Sequence, residues 1–290
     1  MPERILRIAV VAPGSRIDPA VAGRVTDLAT SLYPGRAAID FHPQCFLSSG
    51  HFAGDDDARR RAFADAANDP SVDVVWFARG GYGAARLLDR LLPSLTETAR
   101  QKTFLGYSDG GTLLGALYGQ GFTRVAHGPM PSDISRSGGE TAVTRALQFL
   151  VEAAPEALEP TVSPSTPTAA FNITILSHLI GTPWQPDLSG HVLMVEEVAE
   201  AMYRTDRDLG HITGNPAIRR VAGIKLGRCS AIPANDPDFG QSEEDVLRHW
   251  CAVSGIAYLG RADIGHDVAN KVVPFGRLRG LARTSSVITT

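Results

Sequence analysis

The alternation of apolar and polar positions gives the first half of the chain a regular pattern. Short apolar runs alternate there with segments whose apolar residues recur every three or four positions, which are the signatures of strands and helices. The predicted strands are Ile5–Ala12, Ala37–Phe41, Asp73–Ala78, Thr103–Tyr107 and Thr123–His127. The predicted helices are 19–33, Asp55–Ala67, Ala84–Leu92, Thr112–Tyr118 and Gly139–Ala153.

Five strand–helix alternations within about 150 residues predict a parallel sheet with helices on both faces. Residues 1–153 are therefore predicted to form an N-terminal, doubly wound (flavodoxin-like) α/β domain. The order of its strands is left open. Residues 154–169 contain four prolines among serines and threonines, a composition typical of an extended linker between domains.

The second half alternates less cleanly, and residues 170–290 are predicted to form a smaller, mixed α/β domain. Its predicted helices are Asn172–Leu179, Ala199–Ile212 and Glu243–Ser254. Its predicted strands are Val192–Val195, Val221–Leu226, Ile256–Leu259 and Gly276–Leu281.

Composition excludes several classes of protein. The 290 residues carry a formal net charge of −3, so they lack the basic surface expected of a nucleic-acid-binding or membrane-surface protein. Three widely spaced cysteines indicate no disulfide framework and favour a reducing compartment. No apolar stretch approaches the roughly 20 residues of a membrane span, and the first apolar run is too short for a signal peptide. We therefore expect a cytoplasmic protein.

The segment from Phe104 to Leu113 places a serine at a sharp turn between a predicted strand and a predicted helix. Gly106, Ser108 and Gly110 match the Gly-x-Ser-x-Gly pattern. A nucleophilic serine needs such a turn, because small neighbours let it stand above the sheet while backbone N–H groups face the developing oxyanion. The same serine would also serve as a simple helix cap. The pattern alone leaves both interpretations open.

A serine nucleophile requires a base and an acid that orients the base. His266 follows Gly265 in a predicted loop, where catalytic side chains are common, although a histidine without a role fits equally. Glu196 and Glu197 end an apolar predicted strand, and only one of two successive strand side chains faces a given side. Their alternative role is to stabilise the start of a helix. The chain order Ser108, Glu196, His266 is that of the α/β-hydrolases.

A glycine-rich segment, residues 79–86, also joins a predicted strand to a predicted helix. Gly81 and Gly83 could begin a dinucleotide fingerprint, but Arg86 occupies the position of its third glycine and no P-loop lysine follows. Nucleotide binding is therefore not favoured. The glycine backbone is interpreted as a second oxyanion donor, with a plain tight turn as the alternative.

Taken together, these segments resemble the LD-carboxypeptidases, serine peptidases of the S66 kind. The resemblance runs through most of the chain in the order and spacing of short motifs. These are Val11–Ser15, Ala78–Gly83, Gly106–Asp109, His127–Pro129, Gly181–Pro183, Leu193–Glu197, Tyr203–Arg207, Gly265–His266 and Pro274–Gly276. Met194, Val195 and Glu197 depart from the family's usual Phe, Leu and Asp without touching a triad position.

The resemblance implies a catalytic triad: Ser108 as nucleophile, His266 as general base and Glu196 as the acid that orients it. From these roles we expect the backbone N–H groups of Asp109 and Gly81 to bind the oxyanion, with Gly80 as the less favoured alternative to Gly81. No metal ion or other cofactor is required. The active site would lie between the two domains, commonly within a homodimer.

The implied substrate is a muropeptide: the family releases the C-terminal D-alanine of murein tetrapeptides during cell-wall recycling. A cation should bind the free carboxylate of the substrate. Arg86 and Arg207 are candidates, but each fits a surface or salt-bridged arginine equally well.

Two alternatives remain. The related microcin-immunity branch cleaves an amide that joins an amino acid to a nucleotide-like group, and an aromatic side chain able to stack on a base would favour it. The sequence does not show where Trp76, Trp184 or Trp250 point. The other alternative is a non-catalytic binding module in which Ser108 caps a helix.

Overall fold

The computed structural model describes residues 4–278, which form two sheets and eight α-helices. The strands are β1 (Leu6–Val11), β2 (Ala37–Phe41), β3 (Val74–Phe77), β4 (Thr103–Gly106), β5 (Val125–His127), β6 (Thr168–Asn172), β7 (Val192–Val198), β8 (Gly223–Ser230), β9 (Tyr258–Arg261) and β10 (Val273–Pro274). The helices are α1 (Pro19–Leu32), α2 (Asp56–Asn68), α3 (Leu88–Leu91), α4 (Gly111–Gly119), α5 (Gly139–Glu152), α6 (Ile173–Leu179), α7 (Met202–Gly214) and α8 (Glu243–Ser254).

The first sheet has the order β10-β5-β4-β3-β1-β2, and strands β1 to β5 run parallel. Alternate side chains of β1 enter different cores. Val11 joins the core that contains Phe63 of α2, whereas Val10 joins the core that contains Val25 of α1. Helices therefore cover both faces, and the predicted doubly wound, flavodoxin-like architecture is confirmed.

The second sheet has the order β6-β7-β8-β9, and all of its strands are parallel. Helices α6, α7 and α8 pack with it, which agrees with the predicted second α/β unit. The structure thus contains two separate sheets, each with its own helices.

Several element boundaries differ from the sequence prediction. Strand β6 was missed, because its five residues are all buried and show no polar alternation. The helix predicted at Ala84–Leu92 is a 3-10 turn followed by the single α-helical turn α3. The strand predicted at Gly276–Leu281 is wrong in its described part. The strand there is β10, Gly276 forms only an isolated bridge, and residues 279–281 lie outside the described range.

Strand β10 joins the two halves of the molecule. It pairs antiparallel with β5, with Val273 opposite His127. Thr168, at the start of β6, donates its hydroxyl to the Pro274 carbonyl at 2.7 Å and exchanges two backbone hydrogen bonds with Gly276. The chain beyond residues 154–169 therefore contributes to both sheets. The division into domains at that segment remains a prediction.

Within residues 4–278, no helix combines the length and the apolar character that crossing a bilayer would require.

Candidate active site

Ser108 occupies a strained turn between β4 and α4. Its φ of +59° lies in the left-handed region, which a serine adopts rarely. Phe77 packs against the turn from below: a Cβ atom on Gly106 would lie 2.4 Å from its ring, and one on Gly110 would lie 2.8 Å from it. The two glycines of the motif are therefore needed for close packing, and that packing supports the strained serine.

His266 lies beside the serine, although 158 positions separate the two residues. Its Nε2 is 2.9 Å from Ser108 Oγ, within hydrogen-bond distance. The histidine ring is largely buried, at 9% exposure. On the other side of the serine, a Cβ atom on Gly80 would lie 2.8 Å from both Cβ and Oγ of Ser108. Any larger residue at position 80 would displace the hydroxyl.

Glu196 completes a hydrogen-bonded row of three side chains. Its Oε2 is 2.6 Å from His266 Nδ1, and the carboxylate is fully buried near the end of β7. Its Oε1 has no hydrogen-bond partner among residues 4–278. The carboxylate therefore fixes the proton of the imidazole on Nδ1 and leaves Nε2 free to accept from the serine hydroxyl.

The neighbouring Glu197 has a different environment. Its carboxylate accepts hydrogen bonds from the Asn172 side chain, at 2.5 Å, and from the backbone N–H and hydroxyl of Thr174, at 2.9 and 2.8 Å. It also accepts from the N–H of Val198 at 2.9 Å. Since Asn172 and Thr174 begin helix α6, Glu197 stabilises the start of that helix.

Burial and charge act in opposite directions on His266. Burial alone lowers the pKa of the imidazole, but the charge and hydrogen bond of Glu196 outweigh it. The charges of Glu197 and Asp133 act in the same direction as Glu196. The pKa of His266 is therefore raised above its ordinary value of 6.5. The site is built to stabilise an imidazolium beside the serine.

Gly81 and Asp109 lie on the two segments that flank Ser108. Their backbone N–H groups donate no hydrogen bond to any residue in the range 4–278. The Asp109 side chain instead joins the two segments, because its Oδ2 accepts from the Ala84 N–H at 2.8 Å. Burial raises the pKa of this carboxyl to about 6. Gly81 packs closely on Ser15, whose Oγ would lie 2.4 Å from an added Cβ.

Sequence reasoning missed a second layer of residues behind the histidine. The Tyr107 ring lies 4.9 Å from that of His266, and its hydroxyl donates to Asp133 Oδ1 at 2.8 Å. Asn270 accepts through Oδ1 from the Gly265 N–H at 3.2 Å and lies 3.1 Å from Nε2 of the buried His127. Tyr107 and His127 belong to the recognised motifs, but no spacing in the sequence connects either with Asn270.

The arginines and tryptophans that the sequence analysis named contact residues outside the Ser108–His266–Glu196 row. Arg86 pairs with Asp56 at 2.8 Å, and the guanidinium of Arg207 lies 5.9 Å from the Tyr203 ring centroid. The tryptophans pack or bond elsewhere. The fully buried Trp76 donates to a backbone carbonyl, Trp184 packs on the core, and Trp250 donates to the side chain of Asp206. Within residues 4–278, no group of three or more His, Cys, Asp or Glu side chains is arranged to hold a metal ion.

Two family models match the sequence. The LD-carboxypeptidase N-terminal domain matches residues 8–128, and the LD-carboxypeptidase C-terminal domain matches residues 167–280. A Synechocystis protein is 33% identical over 238 residues; it is named a carboxypeptidase by inference. That match spans 78% of this chain and 75% of the relative.

Solved structures show the same fold. The muramoyltetrapeptide carboxypeptidase from Oxalobacter formigenes is 28% identical with a TM-score of 0.78, covering 93% of this chain and 92% of that one. The microcin C7 self immunity protein MccF, in complex with aspartyl sulfamoyl adenosine, has a TM-score of 0.77 over 95% of this chain and 92% of its own. Its identity of 16% shows a shared fold alone.

Proposed function

The chain belongs to the LD-carboxypeptidase family, and we propose that it is a serine carboxypeptidase that releases the C-terminal D-alanine of murein tetrapeptides. The observation that carries this proposal is the row Ser108–His266–Glu196, with hydrogen-bond distances of 2.9 and 2.6 Å. Nucleophile, base and orienting acid are connected in the order that acyl transfer requires.

In the proposed mechanism, Ser108 Oγ attacks the carbonyl carbon of the L,D peptide bond while its proton passes to His266 Nε2. Glu196 stabilises the imidazolium that forms. The backbone N–H groups of Gly81 and Asp109 are proposed to bind the oxyanion, each contributing about 3–4 kcal/mol to the transition state. Both groups are free of other hydrogen bonds within the described chain, which supports this assignment.

His266 then returns the proton to the departing amine, and the C–N bond breaks to release D-alanine. A water molecule, deprotonated by the same imidazole, attacks the acyl-enzyme and regenerates Ser108. The raised pKa of His266 supports this double role, because the base must hold a proton between the two steps.

The name of a structural relative supports a murein tetrapeptide as the substrate. The Oxalobacter formigenes structure with the same fold is named for muramoyltetrapeptide cleavage, and it aligns with nearly the whole chain. We extend this substrate to the present protein as part of the proposal. A cytoplasmic, homodimeric enzyme would suit cell-wall recycling, and sedimentation at micromolar concentration would test the dimer.

One observation favours a second candidate, the hydrolysis of an amide between an amino acid and a nucleotide-like group. Tyr82, directly after Gly81, is 57% exposed, and its ring centroid lies 6.1 Å from that of Phe52. An exposed aromatic side chain next to an oxyanion donor could stack on a base. The three tryptophans offer no comparable exposed ring beside Gly81.

The proposal is tested with L-Ala-γ-D-Glu-meso-diaminopimelyl-D-Ala, by following free D-alanine with mass spectrometry. Wild type should release D-alanine and Ser108→Ala should not. Ser177→Ala is the matched control, because Ser177 Oγ also lies 3.1 Å from a histidine nitrogen, His211 Nδ1, and 3.1 Å from Asp208. Release by Ser108→Ala would overturn the nucleophile, and no release by wild type would overturn the substrate. A nucleotide-linked aspartyl amide would then be assayed for the second candidate.

A further inference from the structure

We propose that Arg228 is a positioning residue that holds the loop of His266, residues 262–271, so that the imidazole meets the serine. This inference rests on the proposed function and assigns to it a residue outside the triad. It follows from the contacts of the loop, which include three hydrogen bonds from a single guanidinium group.

Arg228 reaches the loop from strand β8 on both sides of the histidine. Its Nη1 donates to Asp263 Oδ1 at 2.6 Å, three residues before His266. Its Nε and Nη2 donate to the two oxygens of Asp267, the next residue, the latter at 2.9 Å. The backbone N–H of Arg228 also donates to the Ile264 carbonyl at 2.8 Å.

The arginine side chain also packs directly against the loop backbone. A Cβ atom added to Gly265 would lie 3.0 Å from Arg228 Cβ and 3.2 Å from its Nε. The glycine before the histidine therefore makes room for the arginine. Position, charge and hydrogen bonding all bring Arg228 to the residues that flank His266.

Two further supports hold the rest of the loop. Arg145, on helix α5, donates through Nη1 to the carbonyls of Val268 and Asn270 at 2.8 and 3.0 Å. The Gly265 N–H donates to Asn270 Oδ1, and because this oxygen can only accept hydrogen bonds, His127 must donate to it through Nε2–H. Burial lowers the pKa of His127 to about 4, which keeps this second imidazole neutral. Within the described residues, neither Arg145 nor the Asn270 side chain bonds to the carboxylates of Asp263 and Asp267, whereas the Asn270 backbone N–H donates to the Asp267 carbonyl at 3.2 Å.

The planar fork of arginine is the important feature. Of its five coplanar N–H groups, one on Nε and one on Nη2 bind the two oxygens of Asp267, and one on Nη1 binds Asp263. A lysine would keep the charge but could not form this set of bonds. Isolated surface ion pairs stabilise proteins little, but here one group with 31% exposure fixes two points on either side of a proposed base.

Arg228→Gln and Arg228→Lys are compared with Arg261→Gln. Arg261 is the matched control because it also contacts two carboxylates, Glu243 and Glu244 at 3.4 and 3.7 Å, but these belong to helix α8. The measurements are kcat and KM for D-alanine release, the rate of Ser108 labelling by a fluorophosphonate, and the thermal unfolding midpoint. Labelling requires the base but not the natural substrate.

Both Arg228 variants should lose on the order of 10- to 100-fold in kcat and in labelling rate, because small displacements of a reacting group have effects of this size. KM should change less than about threefold, and Arg261→Gln should match wild type. If Arg228→Gln does not fold, Asp267→Asn takes its place under the same criteria. A labelling rate for Arg228→Gln within about twofold of wild type would overturn the inference. So would full activity in Arg228→Lys, or an equal loss in Arg261→Gln. A wild type that resists labelling would instead contradict the proposed nucleophile.

Discussion

Two adjacent glutamates allow the triad to be tested within one strand. Glu196 and Glu197 are both buried in β7, and changing each to glutamine in turn removes a charge with almost no change in volume. We expect Glu196→Gln to abolish most activity and leave the fold intact. We expect Glu197→Gln to lower stability and leave most activity.

The expected loss in Glu196→Gln follows from the proton on the imidazole. The carboxylate oxygen 2.6 Å from His266 Nδ1 can only accept a hydrogen bond. A glutamine that turns its NH2 group to Nδ1 would move the proton to Nε2, so that the imidazole could no longer accept from Ser108. In serine proteases the equivalent change lowers kcat about 10⁴-fold. Since Glu196 Oε1 has no partner within residues 4–278, the variant loses little other bonding.

The expected effect of Glu197→Gln is on the free energy of unfolding. The carboxylate accepts four hydrogen bonds, from Asn172, from two donors of Thr174 and from Val198. A glutamine offers one oxygen, so its NH2 group must face at least one N–H or O–H donor. One unsatisfied buried donor costs about 1–3 kcal/mol. The thermal midpoint should therefore fall by several degrees.

The assay is D-alanine release together with calorimetric unfolding of wild type and both variants. In Glu196→Gln, the midpoint at which the residual activity falls on acidification should lie at lower pH than in wild type. The reason is that the variant lacks the charge that most raises the pKa of His266. The reasoning is refuted if Glu196→Gln keeps more than about a tenth of the wild-type kcat. It is also refuted if the two variants lose activity equally.

Three further predictions concern the surroundings of the triad. Gly80→Ala should lower kcat at least about tenfold, because its Cβ would displace Ser108; Gly23→Ala, with nothing within 4 Å, should leave kcat unchanged. Wild-type kcat/KM should fall on acidification with a midpoint above 6.5, since His266 must be neutral to accept a proton; a lower midpoint contradicts this. Between pH 4 and pH 7, Asp109→Asn should gain up to about 3 kcal/mol in free energy of unfolding by urea relative to wild type. The pKa of Asp109 is raised from 3.8 to about 6, so ionisation of this carboxyl destabilises folded wild type as the pH rises. A difference between the two proteins that does not change with pH contradicts this.

Strands β1 to β5 of the first sheet were predictable because each precedes a segment with the apolar spacing of a helix. The Gly-x-Ser-x-Gly turn was predictable for the same reason, since a strand and a helix bound it. Strand β6 was not, because a strand buried on both faces shows no alternation.

The alternation of the strand does not show which of Glu196 and Glu197 is the acid of the triad. Both side chains are buried, and a register shift between β7 and β8, from Val195 to Glu197, interrupts the regular alternation. Only the resemblance to the family favoured Glu196. The bond between Asn270 and His127, 143 positions apart, is likewise set by tertiary packing and leaves no local signal.

Both sheets contribute residues to the site, and the chain after His266 connects the two sheets. Ser108 follows β4 of the first sheet, whereas Glu196 lies on β7 of the second. From His266 the chain runs seven residues to Val273, which pairs with His127 in the first sheet, while Arg228 of the second sheet holds the histidine loop. The histidine is therefore attached to both sheets over a short stretch of chain. Because so short a connection leaves little freedom, we expect the 2.9 Å contact between His266 and Ser108 to depend on this loop.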